Sequence, residues 1–225
     1  MPPKKPLDRW LATRRAGFPP AGGRPYPDRL KSVGDYLNSQ IHPHVEKGAI
    51  LQGDGFLTDH GPTHIQTVIE RAGALLAYPE DEYPQLTPYE VYLLLMAAHF
   101  HDVGNIFGRV GHEQNLAPIM EHLNGLVGAE MVERQAIMRI ARAHGGNIDG
   151  NKDTINALPR MDPVVGQDVR YQSLAAILRL ADELSDDSRR AAEPFRPLAL
   201  SRFRARFFMR TPPLSIRCKS ARKSA

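Results

Sequence analysis

The sequence has almost no cysteine and no long apolar run. Cys218 is the single cysteine among 225 residues, so the chain can build neither a disulfide framework nor a thiolate zinc site, and any metal must be held by nitrogen and oxygen ligands. No segment resembles a signal peptide or is long enough to span a bilayer. We therefore expect a soluble, cytoplasmic protein with no membrane partner, whose 42% hydrophobic content is enough for one well-packed domain.

The small net charge of +4 conceals an uneven distribution. Residues 1–31 carry eight Lys/Arg against two Asp, and residues 189–225 carry eleven against one Glu, which leaves −12 for residues 32–188. Basic ends on an acidic body can attract nucleic acid or another polyanion, or they can be solvated tails.

Composition divides the chain into three parts. Residues 1–27 are rich in proline and basic residues, which predicts an extended or poorly ordered arm. Residues 28–195 contain the helical patterns of one domain. Residues 196–225 form a basic tail or short strand, because SRFRARFFMR alternates arginines with mostly aromatic residues. Such a strand could contact single-stranded nucleic acid or pack as an edge strand.

The strongest helical signal begins at Thr87. Thr87 can cap a helix and Glu90 completes a capping box, with a proline between them at the first helical position. The following residues 91–98 are all apolar or aromatic, so the helix should lie inside the domain. His101 and Asp102 stand at its end. Because a buried carboxylate is costly without a partner, Asp102 should have a cation beside it.

Several other predicted helices also bring a histidine or an acid to the end or edge of an apolar face. The whole set is His64, His101 with Asp102, His112, His144 and Asp182. Imidazole and carboxylate without thiolate suit Mn, Fe, Zn or a similar divalent ion, and they leave room for two ions that share a carboxylate. Spacing does not decide which histidines bind, since His99 competes with His101 on the same helix. His42 and His44 are spaced like a chelate but are more typical of surface residues near a helix end, and His60 is a weaker candidate than His64.

This ordered series resembles the H…HD…D pattern of the HD-domain superfamily of metal-dependent phosphohydrolases. The pattern is carried by His64, by the adjacent pair in HFHDVGN and by Asp182 in LRLADEL. RVGHEQNLAPIM and IARAHGG resemble the two additional histidine motifs of the binuclear members, among them the HD-GYP-like phosphodiesterases. The likeness covers about residues 55 to 187. It implies an all-α, HD-domain-like helical bundle with basic N- and C-terminal extensions.

The resemblance also implies a site. One ion would be held by His64, His101, Asp102 and Asp182, and Asp102 would bridge to a second ion held by His112 and His144. Asp102 and His112 would then be catalytic, and Arg109 and Arg189 are the nearest candidates for contacting phosphate. Asn105 stands where HD-GYP proteins typically carry a lysine, and no GYP motif is present, so the resemblance does not extend to a cyclic dinucleotide substrate.

The implied reaction is hydrolysis of a nucleotide or related phosphate ester by a metal-bridged hydroxide, with two divalent ions roughly 3.5 to 4 Å apart. Two other functions stay open. TDHGPTHIQTVIERA and LADELSDD also resemble HD domains of bacterial conflict and signalling systems, often found beside ATPase modules, which suggests a regulatory module that senses a nucleotide or couples to an ATPase partner without turnover. The basic tails suggest a nucleic-acid-binding protein.

Overall fold

The structure is a computed structural model. It describes residues 6–20, 22–45, 61–76, 86–108, 111–128, 130–145, 150–151 and 153–185. All of them belong to one compact unit, Met1–Ala192. His60, Arg109, Arg189 and the predicted C-terminal strand lie outside the described residues, so the boundary between the domain and the C-terminal tail stays a prediction.

The described elements are mainly helical. In chain order they are α1 (Leu7–Ala12), α2 (Tyr26–Tyr36), α3 (Pro62–Leu76), α4 (Pro88–Phe100), α5 (Ala117–His122), α6 (Asn124–Val127), α7 (Met131–Arg142), β1 (Asp162–Val164), β2 (Gln167–Val169) and α8 (Tyr171–Glu183). A π-helical turn, Leu37–Ile41, continues α2, and 3₁₀ turns at Val103–Phe107 and His112–Gln114 follow α4. The predicted all-α bundle is confirmed for these residues. None of the described helices combines the length and apolar character needed to cross a bilayer.

Helix α4 is the centre of the bundle. The Thr87 hydroxyl accepts from the Glu90 amide at 3.1 Å, and the Glu90 carboxylate accepts from the Thr87 amide at 2.9 Å, so the predicted capping box is confirmed. Every residue from Tyr89 to Phe100 is buried. Helices α2, α7 and α8 all pack against α4. The predicted interior helix is therefore confirmed.

The helices around α4 are amphipathic, and most of their predicted faces are buried. In α3 the inward residues include Ile65, Val68 and Ile69, as the 3.6-residue period predicts. Helix α7 buries Ile137 and Ile140. It begins later than the sequence pattern predicts, because α6 ends at Val127 and Gly128 takes a φ of +129° that breaks the helix. Val132, predicted on the apolar face of α7, lies in its first turn and is exposed.

The prediction of an extended N-terminal arm is wrong for Leu7–Ala12, which form helix α1. Leu7 and Leu11 are fully buried on one face of α1, which packs against α3 and α4. The spacing of four residues places both leucines on the same side of a helix. The high proline content of residues 1–27 favours an extended chain, and two leucines in one short helix are a weak signal beside it.

The polar segment before α8 is also more ordered than a loop. Strands β1 and β2 form an antiparallel hairpin in which Asp162 pairs with Val169 and Val164 pairs with Gln167. Val164 and Val169 are fully buried. Their side chains anchor the hairpin to the core. The polar, turn-rich composition of residues 146–168 predicts a long loop or a disordered insertion, and that prediction is wrong for the hairpin.

Candidate metal centre

Five separate segments bring the predicted ligands together at one end of α4. They contribute His64 from the first turn of α3, His101 and Asp102 from the end of α4, His112 from the second 3₁₀ turn, His144 from just beyond α7, and Asp182 from the last turn of α8. The first turn of α3 lies beside the last turn of α8, because Nε2 of His64 is 3.1 Å from Oδ1 of Asp182. All six residues predicted to hold metal are thus neighbours.

Asp102 lies between two groups of histidines, and each of its carboxylate oxygens faces one group. Its Oδ2 is 3.2 Å from Nε2 of His101 and 3.6 Å from Nε2 of His64. Its Oδ1 is 3.5 Å from Nε2 of His112 and 3.7 Å from Nε2 of His144. One carboxylate therefore has the orientation needed to bridge two cations.

Asp182 completes the first group. Its Oδ1 lies 3.1 Å from Nε2 of His64 and 3.6 Å from Nε2 of His101. The same two imidazole nitrogens thus face carboxylate oxygens from both α4 and α8. In the second group, Nε2 of His112 and Nε2 of His144 are 3.4 Å apart, with Asp102 as the carboxylate.

The ring orientations are fixed by bonds on the far side of the histidines. Nδ1 of His101 donates to the Ala98 carbonyl at 2.7 Å, and Nδ1 of His144 donates to the Ala141 carbonyl at 2.6 Å. Both bonds reach back three residues. A protonated Nδ1 leaves the Nε2 lone pair available as a ligand, which is the arrangement that metal-binding histidines commonly use.

The donor set fits divalent metal ions. The structure contains two triads whose ligand atoms all lie within 4.8 Å of one another: His64, His101 and Asp102, and Asp102, His112 and His144. Ligands about 2.1 Å from a common ion are separated by about 3.0 to 3.4 Å in octahedral or tetrahedral sites. The Nε2-to-oxygen separations of 3.1 to 3.7 Å are close to that range. Imidazole and carboxylate donors suit Mn, Fe and Zn.

The buried carboxylates also favour positive charge in the absence of metal. Burial alone would lower the pKa of His101, but Asp102 and Asp182 raise it well above the ordinary 6.5. Burial, together with the charge of His101, lowers the pKa of His144 to about 4. Burial would raise the pKa of Asp182, yet hydrogen bonds from His101 and His64 bring it below its ordinary 3.8. Metal binding at this centre would therefore displace a proton from the first group.

Two further residues contact the ligands and were missed as site residues by sequence reasoning. Asn105 donates from Nδ2 to Asp102 Oδ1 at 3.0 Å, so the residue that departs from the lysine of HD-GYP proteins helps to orient the shared carboxylate. Glu113 Oε2 lies 3.2 Å from Nδ1 of His112. The sequence signals that could have identified them are their positions, three residues after Asp102 for Asn105 and directly after His112 for Glu113.

The structure distinguishes the other histidines. His99 is buried beside Gly34 of α2, where a Cβ on that glycine would lie 3.0 Å from the imidazole, so its side chain packs between these helices. His42 is fully buried, so its prediction as a surface residue is wrong. The burial of His42, together with the nearby His99, lowers its pKa to about 3. The π-helical turn before it, which carries a buried Leu37 and Ile41, turns His42 inward.

The comparisons with known proteins agree with this geometry. The HD-CE family model matches residues 54–211, about 70% of the chain. No protein of curated function and no solved structure matches the chain. The family match spans the described ligands from His64 to Asp182, and the two histidine and aspartate triads are consistent with the metal site of HD domains. The chain belongs to the HD-CE family, a family of the HD-domain type.

Proposed function

We propose that the protein is a metal-dependent phosphohydrolase that acts on a nucleotide or a related phosphate ester. The proposal rests on the position of the Asp102 carboxylate between two groups of histidines. Its Oδ2 faces His64 and His101, and its Oδ1 faces His112 and His144. When bound, a pair of divalent ions would supply a water of lowered pKa and would neutralise charge on the phosphoryl oxygens.

The residues of the chain hold the two groups at a fixed distance and orientation. Asp102 links them through its own carboxylate, and Asn105 restricts rotation of that carboxylate by its hydrogen bond. The carbonyls of Ala98 and Ala141 hold two of the imidazole rings with Nε2 directed inward. No large rearrangement of these side chains is needed before they bind a cation, and such preorganisation favours catalysis.

The burial of the ligands indicates where a substrate would enter. The side chains of His64, His101 and Asp102 are nearly inaccessible, whereas those of His112 and Asp182 are 17% and 22% exposed. A phosphate group would approach between these two residues, with the hydrophobic core closing the opposite side. Arg109 and Arg189, proposed to contact phosphate, follow the first 3₁₀ turn and α8 in the chain and lie outside the described residues.

The experiment combines metal analysis with hydrolysis of a panel of nucleotides and phosphate esters. Protein loaded with Mn or Fe should contain about two equivalents and hydrolyse at least one substrate. Asp102→Asn should lose metal and at least about 10²-fold of the activity, because it replaces the carboxylate that faces both groups with a neutral amide that keeps only one ligand oxygen. Asp168→Asn, which neutralises an exposed carboxylate in β2, is the matched control and should retain both.

Three outcomes would contradict the proposal in different ways. Protein that takes up neither Mn nor Fe and stays inactive would refute it outright. A nucleotide that binds without turnover would favour the regulatory module, with an ATPase as the proposed partner. Binding of nucleic acid that weakens steeply with salt and disappears on removal of residues 1–27 and 196–225 would favour a function of the basic tails.

A further inference from the structure

A cavity of about 560 Å³ lies away from the metal centre. Its walls come from the segment before α2, the start of α2, α6 and the first turn of α7, and its lining includes Arg24, Arg29, Gly128 and Arg134. Arg134 and Arg142 are separated by eight residues of α7, which corresponds to about 12 Å along the helix. His144 lies beyond Arg142, so the cavity and the metal centre occupy opposite ends of α7.

Three arginines belong to this lining, and none of its described residues is acidic. Glu133 approaches Arg29 to 3.6 Å and is itself held by the Tyr89 hydroxyl at 2.8 Å. Both charged side chains of that ion pair are buried, and Glu133 does not belong to the lining. Glu133 therefore pairs with Arg29 from outside the lining, and the charged side chains of the lining itself are all arginines.

Two of the three arginines are held in place by backbone carbonyls. Nε of Arg29 donates to the Arg24 carbonyl at 2.7 Å, and Nη1 of Arg134 donates to the Gly128 carbonyl at 2.6 Å. An added Cβ at Gly128 would lie 2.8 Å from Nη1 of Arg29, so a glycine is required for this guanidinium to lie against the chain. The φ of +129° at Gly128 also favours glycine. Nη1 of Arg24 is exposed and donates to the Ser32 hydroxyl at 2.8 Å, so Arg29 and Arg134 are the two guanidinium groups that the backbone preorganises.

We propose that this cavity binds a phosphate-bearing small molecule of about nucleotide size. Guanidinium groups donate in a planar fork that matches phosphate oxygens, and a preorganised set loses less entropy on binding than free side chains do. The volume lies within the range of about 300 to 1,000 Å³ that is usual for small-molecule sites. The proposal does not depend on the reaction at the metal centre, because the two sites share no lining residue or ligand.

The test measures binding of inorganic pyrophosphate to the metal-loaded full chain by calorimetry. Arg24→Gln/Arg134→Gln should weaken binding at the cavity by about 100-fold, the loss expected for two charge-assisted hydrogen bonds. Arg29 is left intact because its removal would strand Glu133 in the core. Arg139→Gln removes an exposed charge from the same helix outside the cavity and should leave the affinity unchanged. Circular dichroism and metal content should be the same for wild type and the arginine variants.

Binding at the metal centre is identified separately, since Asp102→Asn should remove it and leave binding at the cavity. If the double variant does not fold, Arg24→Gln alone carries the test, because this guanidinium is exposed, and about a 10-fold loss is expected. Equal affinity in wild type and the arginine variants would overturn the proposal, as would an equal loss in Arg139→Gln. It would also be overturned if a single-stranded oligonucleotide bound through Arg24 and Arg134 while pyrophosphate did not bind.

Discussion

Gly104→Ala should separate the two halves of the metal centre. Gly104 lies in the 3₁₀ turn after Asp102, and a Cβ added there would lie 1.9 Å from the carbonyl oxygen of His112 and 2.8 Å from its carbonyl carbon. Carbon–oxygen contacts are normally about 3.3 Å or longer. The His112 backbone would have to retreat by about 1.4 Å, whereas a functional site tolerates only about 0.5 Å.

The expected result is selective. The first group, with His64 and His101, is attached to α3 and α4 and should keep its ion, while the second group loses the position of His112. Metal content should fall from about two equivalents towards one, and hydrolysis should fall by about 10²-fold or more because a 1 Å displacement costs that much. Forcing a methyl group into a filled site should also lower the free energy of unfolding by about 1 to 3 kcal/mol.

Gly73→Ala is the matched control for this substitution. Gly73 is a buried residue of α3, the helix that carries His64, but a Cβ there would meet Leu7 at 3.5 Å, an ordinary contact. Metal content measured by mass spectrometry and activity should remain at the wild-type level. Two equivalents of metal and full activity in Gly104→Ala, or an equal loss in Gly73→Ala, would refute the reasoning.

Two further predictions concern stability. Glu90→Gln should lower the free energy of unfolding at pH 7 by about 2 to 3 kcal/mol, after allowance for a partly exposed Arg170, because it breaks the ion pair and weakens the capping box. Burial would raise the pKa of Glu90, but hydrogen bonds from Arg170 and Thr87 lower that pKa below 4.5. The stabilisation by the Glu90 carboxylate is therefore present above pH 4.5 and is lost as the pH falls through the folded-state pKa. Urea unfolding of wild type and Glu90→Gln at pH 7 and pH 3 measures this difference, and an equal loss of stability at both pH values would contradict the prediction. Leu11→Ala should cost about 2 to 4 kcal/mol because α1 is part of the core, whereas a loss below about 0.5 kcal/mol in urea unfolding would be the result for an extended arm.

Local signals predicted the helices well, because each of those signals acts within a few residues. The capping box at Thr87 and Glu90 and the apolar period of α3 are properties of one turn or one face, and both are confirmed. The second role of Glu90 was not predictable in this way. Its Oε1 accepts from the Arg170 amide at 3.1 Å and from Arg170 Nε at 2.8 Å, across eighty positions of sequence. Only the packing of α8 against α4 creates that pair.

The basic cavity was not predictable for the same reason. Arg24 and Arg29 are close in sequence, but Gly128 and Arg134 join them only after α7 packs against the core. The charge distribution of the N-terminal residues was visible, yet it indicated a solvated arm or a nucleic-acid contact. In the structure, Arg29 is instead buried, with its guanidinium 4.7 Å from the centre of the Tyr26 ring. Arg29 thus belongs to the lining of the cavity.

The choice between His99 and His101 shows what the structure adds to the sequence at the centre itself. Both histidines lie shortly before Asp102 on the same helix, so their spacing did not decide which one is a metal ligand. The resemblance to HD domains favoured His101. Two residues along an α-helix correspond to a rotation of about 200°. His99 therefore faces α2, where it lies against Gly34, while His101 faces His64 of α3 and Asp182 of α8, with Asp102 beside it. A histidine two positions earlier cannot replace His101, because the helix directs it into a different interface.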